Sequence, residues 1–333
     1  INIMNKSLTN GYNRLIEEAN TKIKNPELET KTKTGLKFKI GHYRKALKKI
    51  KSLETEITSA EQAIALDVFS KGEIEHITKF LNDPSLLENS TISLRASELD
   101  KLQGITGIGP KRAADLYDKH QLKLEDLLTG KGDDLLTHHQ KMGVKYYHDL
   151  NIRIPRAEIT KLQTYMRRQL TDGFKLMVCG SYRRKVKDSG DMDVLIYHPD
   201  VENIEDEIFF DCFIEKLTKR GFLVDSLTPN DSSTKYMGMC QLNNESTVRR
   251  IDIRFVPYSS LGSAMLYFTG SGDFNKNMRT YAIKKGFKLN EYGLYKKSGE
   301  KVEGVSTEED IFKALELEYT EPQDRLSSVK FGK

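Results

Sequence analysis

Gly180-Ser181-Tyr182-Arg183-Arg184, followed by Ser189-Gly190-Asp191-Met192-Asp193-Val194-Leu195-Ile196, is the stretch that decides the fold of this 333-residue chain. The apolar run 176–179 stops at Gly180, and a second apolar run begins directly after the two carboxylates. This pattern predicts a strand, a glycine turn, a basic loop and a second strand. A polar loop is therefore expected between two buried strands.

Asp191 and Asp193 are spaced so that, on a strand, both side chains point to one face. Adjacent carboxylates repel each other, so the pair needs either solvation or a compensating charge, which Mg²⁺ supplies effectively. An isolated D-x-D motif is more often a solvated turn with two surface acids. The neighbouring Gly-Ser and Arg-Arg pairs favour a metal site here.

The length of 333 residues predicts two or three domains, and the composition is that of a soluble protein. The net charge is +5 with 30% charged residues, and this modest basic excess fits an anionic partner only where it is clustered. No apolar run approaches the ~20 residues of a membrane span, and no signal peptide is recognisable. Cys179, Cys212 and Cys240 lack C-x-x-C spacing, which indicates reduced thiols in an intracellular protein and no structural zinc site.

The first eighty residues are predicted to form four short helices, with connectors that carry Pro26, Gly35 and Gly72. The predicted ranges are 12–24, 42–53, 60–69 and 73–81. The second helix has lysines and an arginine around a thin apolar stripe, and more lysines precede it. This basic face suits a phosphate backbone, although an ordinary solvated helix face explains the same pattern.

Gly104-Ile105-Thr106-Gly107-Ile108-Gly109-Pro110-Lys111-Arg112 predicts a helix–hairpin–helix. Pro110 excludes a Walker A loop, and the helix predicted at 93–102 argues against a Rossmann loop, which follows a strand. Gly107 and Gly109 permit positive φ and a close approach of backbone N–H groups to a phosphate. A simple turn between helices is the alternative, but the basic pair after Pro110 favours DNA-backbone binding.

A continuous helix is predicted over 122–147, and the adjacent histidines within it, His138 and His139, are interpreted as structural because they point in different directions. Another helix is predicted over 158–170.

A third carboxylate is expected on a strand of the same sheet. After a helix at 208–220, strands are predicted at 222–227, 236–242 and 249–256. In the last strand, alternation places Arg250, Asp252 and Arg254 on one face and apolar residues on the core face. If this strand neighbours the first two carboxylates, three acids can hold two Mg²⁺ ions roughly 3.5–4 Å apart for an in-line phosphoryl displacement. The spacing alone leaves that adjacency open.

Tyr267-Phe268-Thr269-Gly270-Ser271-Gly272 ends one predicted helix, and Phe274-Asn275-Lys276-Asn277-Met278-Arg279 opens another that runs to 285. An exposed Tyr-Phe pair, a glycine turn and polar residues on one helical face suit bases and sugar edges. An aromatic core followed by a capped helix accounts for the same pattern, so both interpretations stay open. A last helix is predicted over 308–319.

In order and spacing, these motifs resemble those of the family X DNA polymerases, most closely the beta type, from about residue 10 to the C-terminus. The resemblance rests on Gly-Ser-x-Arg-Arg, Ser-Gly-Asp-Met-Asp-Val-Leu, Arg-Arg-Ile-Asp-Ile-Arg, and Tyr-Phe-Thr-Gly-Ser with Phe-Asn-Lys-Asn-Met-Arg. It implies an α+β fold with an all-helical lyase-like, 5′-phosphate-binding domain at 1–88 and a helix–hairpin–helix subdomain at 89–150. A nucleotidyltransferase-type mixed β-sheet palm at 151–261 and a small α/β subdomain at 262–333, which binds the nascent base pair, are expected to follow.

The resemblance also implies roles for individual residues. Asp191 and Asp193 are expected to hold both metals, with Asp252 joining them at the catalytic metal and activating the primer 3′-hydroxyl. The incoming nucleotide is expected to contact Arg153, Gly180, Ser181, Arg184, Ser189, Gly190, Tyr267, Phe268, Gly270 and Asn275. DNA is expected to contact Lys39, Tyr43, Gly107, Gly109, Lys111, Arg250, Lys276 and Arg279. Backbone carbonyls of Gln103, Ile105 and Ile108 are expected to share Na⁺ or K⁺ with a DNA phosphate, and Arg254 is expected to pair with Asp193 before closure.

The implied activity is template-directed, gap-filling DNA synthesis in DNA repair such as base excision repair, with two Mg²⁺ ions or Mn²⁺ in their place. The implied partners are gapped or nicked DNA, dNTPs, and DNA ligase or other repair proteins. A monomer without membrane association is expected, in the nucleus or, if the chain is viral, in the host cytoplasm or the virion. The alternatives are a template-independent nucleotidyltransferase and, less favoured, a non-catalytic scaffold that binds DNA ends.

One departure from the family lies beside the glycine turn. The family has an aspartate after Tyr-Phe-Thr-Gly-Ser that packs on the incoming base, but this chain has Gly272 there, with Asp273 displaced by one position. Nucleotide affinity or selectivity is therefore expected to differ.

A larger departure lies in the lyase-like domain, where the family's first hairpin has a Gly-x-Gly turn that this chain lacks. Ungapped spacing places His76 where the family has the lysine that forms a Schiff base with the 5′-deoxyribose phosphate, and histidine cannot form the imine. Lys71 and Lys79 are the nearby candidates for a nucleophile. The hypothesis is that lyase activity is weak or lost while 5′-phosphate binding survives.

Overall fold

A computed structural model describes residues 4–53, 55–87, 91–171, 173–204, 208–227 and 234–332. The chain divides into two units. One unit comprises Ile1–Gln103 and Ile108–Thr129, and the other comprises Gly104–Gly107 and Gly130–Lys333. None of the helices in the described ranges is long and apolar enough to cross a membrane.

The first unit is helical. Its helices are α1 (Lys6–Ile23), α2 (Thr30–Lys51), α3 (Ala60–Ala65), α4 (Lys71–Leu81), α5 (Thr91–Gln103), α6 (Pro110–His120) and α7 (Leu124–Leu128). The amphipathic faces of the first four helices meet in a core that contains Leu8, Tyr12, Ile50, Ile77 and Phe80. The N-terminal region is therefore all-helical, as expected, while the predicted domain boundary at residue 88 stays a prediction.

Helix α2 is much longer than the predicted range 42–53, because the predicted connector at Gly35 is part of the helix. A Cβ placed on Gly35 or Gly41 would meet nothing within 4 Å, so neither glycine marks a close approach. Glycine inside a helix costs only about 1 kcal/mol relative to alanine. Burial of the α2 residues Ile40, Leu47 and Ile50 offsets that cost.

The third predicted helix ends early, at Ala65 rather than 69, because Asp67 adopts a left-handed conformation with φ 51°. Gly72 is also not in a connector, since α4 already begins at Lys71. Ser70 caps that helix reciprocally with Glu73, and this capping box fixes where the helix begins.

The predicted continuous helix over 122–147 is wrong. The segment forms α7, a short 3₁₀ turn, α8 (His138–Lys145) and α9 (Tyr147–Leu150). Gly130 and Gly132 have φ of 88° and 82°, which a helix cannot contain, and Thr137 starts α8 with a capping box.

The centre of the second unit is a five-stranded mixed sheet in the order β2-β4-β7-β6-β5. Its strands are β2 (Lys175–Val178), β4 (Met192–Tyr197), β5 (Leu223–Ser226), β6 (Lys235–Cys240) and β7 (Arg249–Phe255), and β1 (Ile154–Pro155) pairs separately with β3 (Asp188–Ser189). Helices α10 (Arg156–Arg167) and α12 (Phe209–Lys219) bury residues such as Leu162 and Phe213 in the same core as the sheet. This is the expected mixed palm sheet.

The remainder of the second unit is small and α/β. It consists of α13 (Leu261–Thr269), α14 (Gly272–Lys284), the hairpin of β8 (Phe287–Asn290) and β9 (Gly293–Lys296), and α15 (Glu308–Ala314). The last predicted helix therefore stops five residues early. The basic loop predicted after Gly180 is instead a one-turn helix, α11 (Gly180–Arg183).

Candidate active site

Two of the three predicted carboxylates lie opposite each other on neighbouring strands. Strands β4 and β7 pair in parallel, with Asp193 in register with Asp252. The expected adjacency is therefore confirmed, and β7 alternates as predicted, with Ile251 and Ile253 fully buried in the core. Asp191 does not lie on the strand as expected, because β4 begins one residue later, at Met192.

The turn before β4 brings backbone close to Asp193. Gly180 has φ 57°, and a Cβ at that position would lie 2.5 Å from Asp193 Oδ2. The Cys179 N–H donates to the Asp193 carbonyl at 2.7 Å, which continues the β2–β4 ladder to the edge of the site. Only glycine therefore fits at position 180 without displacing the carboxylate.

Burial and, to a lesser extent, neighbouring carboxylates raise the pKa values of Asp193 and Asp252. Burial raises the pKa of Asp193 to about 7, Asp191 and Asp252 add to the effect, and Arg250 and Arg254 only partly oppose it. Burial also raises the pKa of Asp252. These raised pKa values show that the two arginines only partly compensate the buried negative charge.

Asp252 offers an unused ligand atom. Its Oδ2 accepts a bond from Arg250 Nη2 at 3.3 Å, whereas its Oδ1 is buried and has no hydrogen-bond partner among the described residues. A buried carboxylate oxygen without a partner is costly, and a hard divalent cation satisfies it. Among the described residues no group of three or more acidic, histidine or cysteine side chains is arranged to hold a metal ion by itself, so a cation here would need oxygen ligands from water or substrate as well.

A cleft of about 770 Å³ opens beside Asp191 and Asp193. Most of the predicted nucleotide-binding residues line it, together with two predicted DNA contacts. They are Arg153, Gly180, Ser181, Arg184, Gly190, Tyr267, Phe268, Gly270 and Asn275, with Lys276 and Arg279. Ser189 is absent from the lining, but its hydroxyl accepts a bond from Ser181 Oγ at 2.6 Å.

One end of the cleft is basic. Arg153 pairs with Asp188, and Arg184 Nη1 donates to the carbonyl of Thr269. Burial lowers the pKa of Arg184, while Asp193 and Asp191 oppose that effect. Two guanidinium groups and the Ser181 hydroxyl can bind a polyphosphate next to the acidic cluster.

The other end of the cleft is aromatic and polar. Tyr267 and Phe268 are half-buried, with ring centroids 4.9 Å apart. Arg279 lies over the Tyr267 ring at 4.6 Å, and Asn275 Nδ2 donates to the Tyr267 carbonyl at 2.7 Å. Both rings line the cleft, so they are available to a base or a sugar. The interpretation of the Tyr-Phe pair as a surface for bases and sugar edges required this exposure.

The structure gives Arg254 a different partner from the expected one. Its guanidinium lies 4.9 Å from the centroid of the Phe268 ring, and no ion pair with Asp193 is found in the described part of the chain. The aromatic face offers Arg254 a favourable site, while the Arg250–Asp252 pair occupies the neighbouring position on β7.

The hairpin before α6 has the geometry of a turn that can bind a DNA backbone. Gly107 has φ 88°, whereas Gly109 is extended with φ −87° and so does not use a positive φ. Gly109 is the N-cap of α6, and no side chain caps that helix. The exposed Lys111 follows in the first turn of α6, where helix geometry points backbone N–H groups towards an anion.

The carbonyl oxygens of the hairpin differ in whether they already accept a hydrogen bond. Asn151 Nδ2 donates to Gly104 at 3.2 Å, and Gln140 Nε2 donates to Gly107 at 3.1 Å. No residue in the described ranges donates to the carbonyl of Ile105 or to that of Ile108. Both oxygens can therefore accept a cation, while the predicted Na⁺ or K⁺ site, which also includes Gln103, stays a prediction.

The lyase-like region packs His76 among aromatic rings. Its ring lies 5.5 Å from Tyr43, 5.9 Å from Tyr12 and 5.9 Å from Phe80. The predicted candidates Lys71 and Lys79, and the predicted DNA contact Lys39, are all exposed.

Sequence reasoning missed several residues that line or shape the cleft. Asp188 binds Arg153, Thr269 holds Arg184 through its carbonyl, and Thr280 and Ile283 extend the face of α14 that contains Lys276. Helical periodicity from Lys276 could have identified the last two. Asp188 and Thr269 act through contacts far apart in sequence, for which a single sequence carries no signal.

Comparisons with known proteins agree along most of the chain. Residues 153–258 match the family model described as "DNA polymerase beta palm", and residues 264–326 match "DNA polymerase beta thumb". Residues 100–151 match "Fingers domain of DNA polymerase lambda".

Two curated relatives carry the name DNA polymerase lambda. The protein from Rattus norvegicus is 33% identical over 308 residues, which cover 87% of this chain and 53% of the relative. The protein from Arabidopsis thaliana is 30% identical over 306 residues, which cover 85% of this chain and 57% of the relative. The chain thus spans about half the length of these relatives.

Proposed function

The chain belongs to the family X DNA polymerases, and from this premise we propose that it is a template-directed, gap-filling DNA polymerase. It would transfer a nucleotidyl group from a dNTP to a primer 3′-hydroxyl in DNA repair such as base excision repair. The observation that supports this most is the parallel register of Asp193 with Asp252, beside Asp191 and a cleft with a basic end.

Two Mg²⁺ ions, or Mn²⁺ in their place, would be held by Asp191 and Asp193, with Asp252 as a further ligand of one. Such ions stabilise charge on attacking and leaving oxygens and orient an in-line displacement. The residues of the chain supply the rest. Arg153, Arg184 and Ser181 bind and orient the triphosphate, and the buried carboxylates provide a negative site that favours cation binding.

The aromatic and polar end of the cleft supports a templated reaction. Lys276 and Arg279 lie on the same helix as Asn275, and Tyr267 faces them. Side chains of this kind contact bases and sugar edges in the minor groove. A template-independent nucleotidyltransferase would instead add one dNTP regardless of the template base, so extension with single dNTPs opposite each template base separates the two.

The wider role follows from the same proposal. The hairpin at Gly107 and Lys111 would bind the DNA backbone of gapped or nicked DNA, with Na⁺ or K⁺ at the carbonyls. The N-terminal bundle would bind a 5′-phosphate through Lys39 and Tyr43 without efficient lyase chemistry. The protein would act as a monomer, with DNA ligase or other repair proteins, in the nucleus or, for a viral chain, in the host cytoplasm or virion.

The decisive experiment is Asp252→Ala, assayed on a single-nucleotide gapped duplex. Primer extension should fall at least about 1000-fold, because loss of a metal ligand removes several kcal/mol of transition-state stabilisation. Binding of the gapped duplex should change less than about threefold, because the DNA contacts remain.

The matched control is Asp211→Ala, which removes an exposed carboxylate on α12 and should extend primers at the wild-type rate. Extension by Asp252→Ala at the wild-type rate would refute the assignment. If the wild-type chain binds gapped DNA but does not extend primers, the result would instead support a non-catalytic scaffold.

A further inference from the structure

Asp188 lies at the mouth of the cleft and binds one edge of the Arg153 guanidinium. Arg153 Nε donates to Asp188 Oδ1 at 2.8 Å, and Nη2 donates to the backbone carbonyl of Asp188 at 3.0 Å. The short β1–β3 ladder, in which Pro155 pairs with Asp188, fixes the two backbones beside each other. Two acceptors of a single residue therefore occupy the side edge of the guanidinium, which is the edge formed by Nε and Nη2.

The terminal edge of the same guanidinium, formed by Nη1 and Nη2, is still available to a ligand. Arg153 Nη1 makes no hydrogen bond to any residue in the described ranges, and it lies 3.1 Å from the position that a Cβ on Gly190 would take. Arg153 and Gly190 both line the cleft that contains Asp191 and Asp193. Guanidinium groups bind phosphate oxygens in pairs through such an edge.

The pair contributes little to the stability of the fold. The side chain of Arg153 is 57% exposed and that of Asp188 is 29% exposed, and ion pairs this exposed stabilise proteins only weakly. A carboxylate at this place also repels an anionic ligand. A geometric role for Asp188, in which it orients the guanidinium, explains why an acid stands at the basic end of the cleft.

We propose that Asp188 is a positioning residue for the incoming nucleotide, which holds Arg153 by its side edge so that the terminal edge meets the triphosphate. The inference rests on the proposed function, because it takes a dNTP as the ligand of the cleft. In this role Asp188 acts only through Arg153 and contacts neither the substrate nor the reacting atoms. Its effect is to reduce the ordering that Arg153 must undergo when the triphosphate binds.

Single-turnover gap filling with the Asp188→Ala variant tests the proposal. The Kd for the dNTP should rise about 3- to 10-fold while the maximum rate of incorporation changes less than about twofold, because only ground-state positioning is lost. Asp188→Asn keeps an oxygen acceptor for Nε and should restore the Kd to within about twofold of wild type. Equal or tighter dNTP binding by Asp188→Ala would overturn the proposal, because repulsion would then outweigh positioning.

A double-mutant cycle distinguishes positioning through Arg153 from a general effect. In the Arg153→Ala background, Asp188→Ala should weaken dNTP binding no further. A second weakening of the same size in that background would show that Asp188 acts independently of Arg153. Calorimetric titration with a dNTP analogue that carries an α,β-imido bridge gives the same Kd values without turnover.

The control variant is Asp211→Asn, which should leave the Kd unchanged, and thermal melting should show equal stability for all variants. If the wild-type chain neither extends primers nor binds the analogue, the proposed function fails. If the wild-type chain extends primers and Asp188→Ala leaves its Kd unchanged, only the role of Asp188 fails.

Discussion

The partly buried ring of His76 packs against aromatic neighbours. Phe80 stacks on it at an interplanar angle of 21°, and Tyr43 meets it edge-on at 87°. The buried Tyr12 hydroxyl donates to the backbone carbonyl of Glu73, and burial raises the pKa of Tyr12. This arrangement suits a packed ring, and an imidazole offers no primary amine for an imine.

We therefore expect borohydride to trap almost no covalent adduct between the wild-type chain and an incised abasic substrate. The physical reason is that Schiff-base chemistry needs an amine activated by its surroundings, whereas Lys71 and Lys79 are exposed. Denaturing gels of the borohydride-treated mixture measure the adduct. Strong trapping that disappears in Lys71→Ala or Lys79→Ala would show that lyase activity is retained.

Among the elements, α11, α13 and α15 meet at one buried carboxylate. Glu308 is 3% exposed and binds Arg183 through both carboxylate oxygens, and it also binds Arg325 at 2.6 Å. Arg183 Nη1 reaches Thr269 Oγ1 at 2.7 Å as well. One acid therefore ties the turn beside the acidic cluster to the C-terminal subdomain.

This contact predicts a pH-dependent stability. Burial alone would raise the pKa of Glu308, but hydrogen bonds from Arg183 and Arg325 outweigh it and hold the pKa below its usual value. A depressed pKa means that the stabilisation is present above the unfolded pKa of about 4.3 and is lost as the pH falls through the folded pKa. Glu308→Gln should thus lower the free energy of unfolding by about 3 kcal/mol at pH 7, because two arginines lose a charged partner.

Urea unfolding of wild type and Glu308→Gln between pH 3 and 7 measures this difference. The difference should begin to shrink below about pH 4, where the unfolded wild-type chain takes up a proton at Glu308, and it should disappear below the lower folded pKa. Glu309→Gln is the matched control, since Glu309 is exposed on the same helical turn and its loss should cost little. A deficit in Glu308→Gln that is constant with pH would indicate lost packing instead of lost charge.

The elements of the palm were predictable because local pattern and tertiary environment agree. Alternation along β7 gave the core face and the carboxylate face before the strand pairing was known. Prediction failed where tertiary packing overrides local breakers, as at Gly35 in α2, and where a positive φ interrupts helical composition, as at Gly130. The partners of Glu308 and Asp188 were not predictable, because a single sequence does not show which distant charges meet.

On the scale of the whole molecule, the effect of the net charge of +5 on DNA binding depends on where the positive groups lie. The N-terminus of α6 has no side-chain cap and is followed by Lys111, whereas that of α4 is closed by Ser70 and Glu73, with Lys49 on the carboxylate. The N-termini of these two helices therefore differ. Backbone phosphate binding is expected at α6, and the N-terminal bundle must rely on side chains such as Lys39.

Binding of gapped DNA should accordingly weaken with salt, and Lys111→Ala should weaken it at every salt concentration. Each lost phosphate contact removes a released counterion, so the slope of log affinity against log salt should decrease in magnitude by about 1. Fluorescence anisotropy between 50 and 300 mM KCl measures the slope. Lys219→Ala is the control, because Lys219 is paired with Glu215 on α12, and an identical effect of both variants would contradict a local contact at the hairpin.

The parallel pairing of β4 with β7 also has a consequence for folding. Parallel strands need a crossover, and here α12, β5 and β6 all lie between the two strands in sequence. Asp193 and Asp252 therefore approach each other only when this long-range closure is complete, and their mutual repulsion opposes that late step. A divalent ion held by both carboxylates would bind the folded sheet and not the unfolded chain. It would therefore stabilise the native palm by a free energy that grows with the logarithm of the ion concentration.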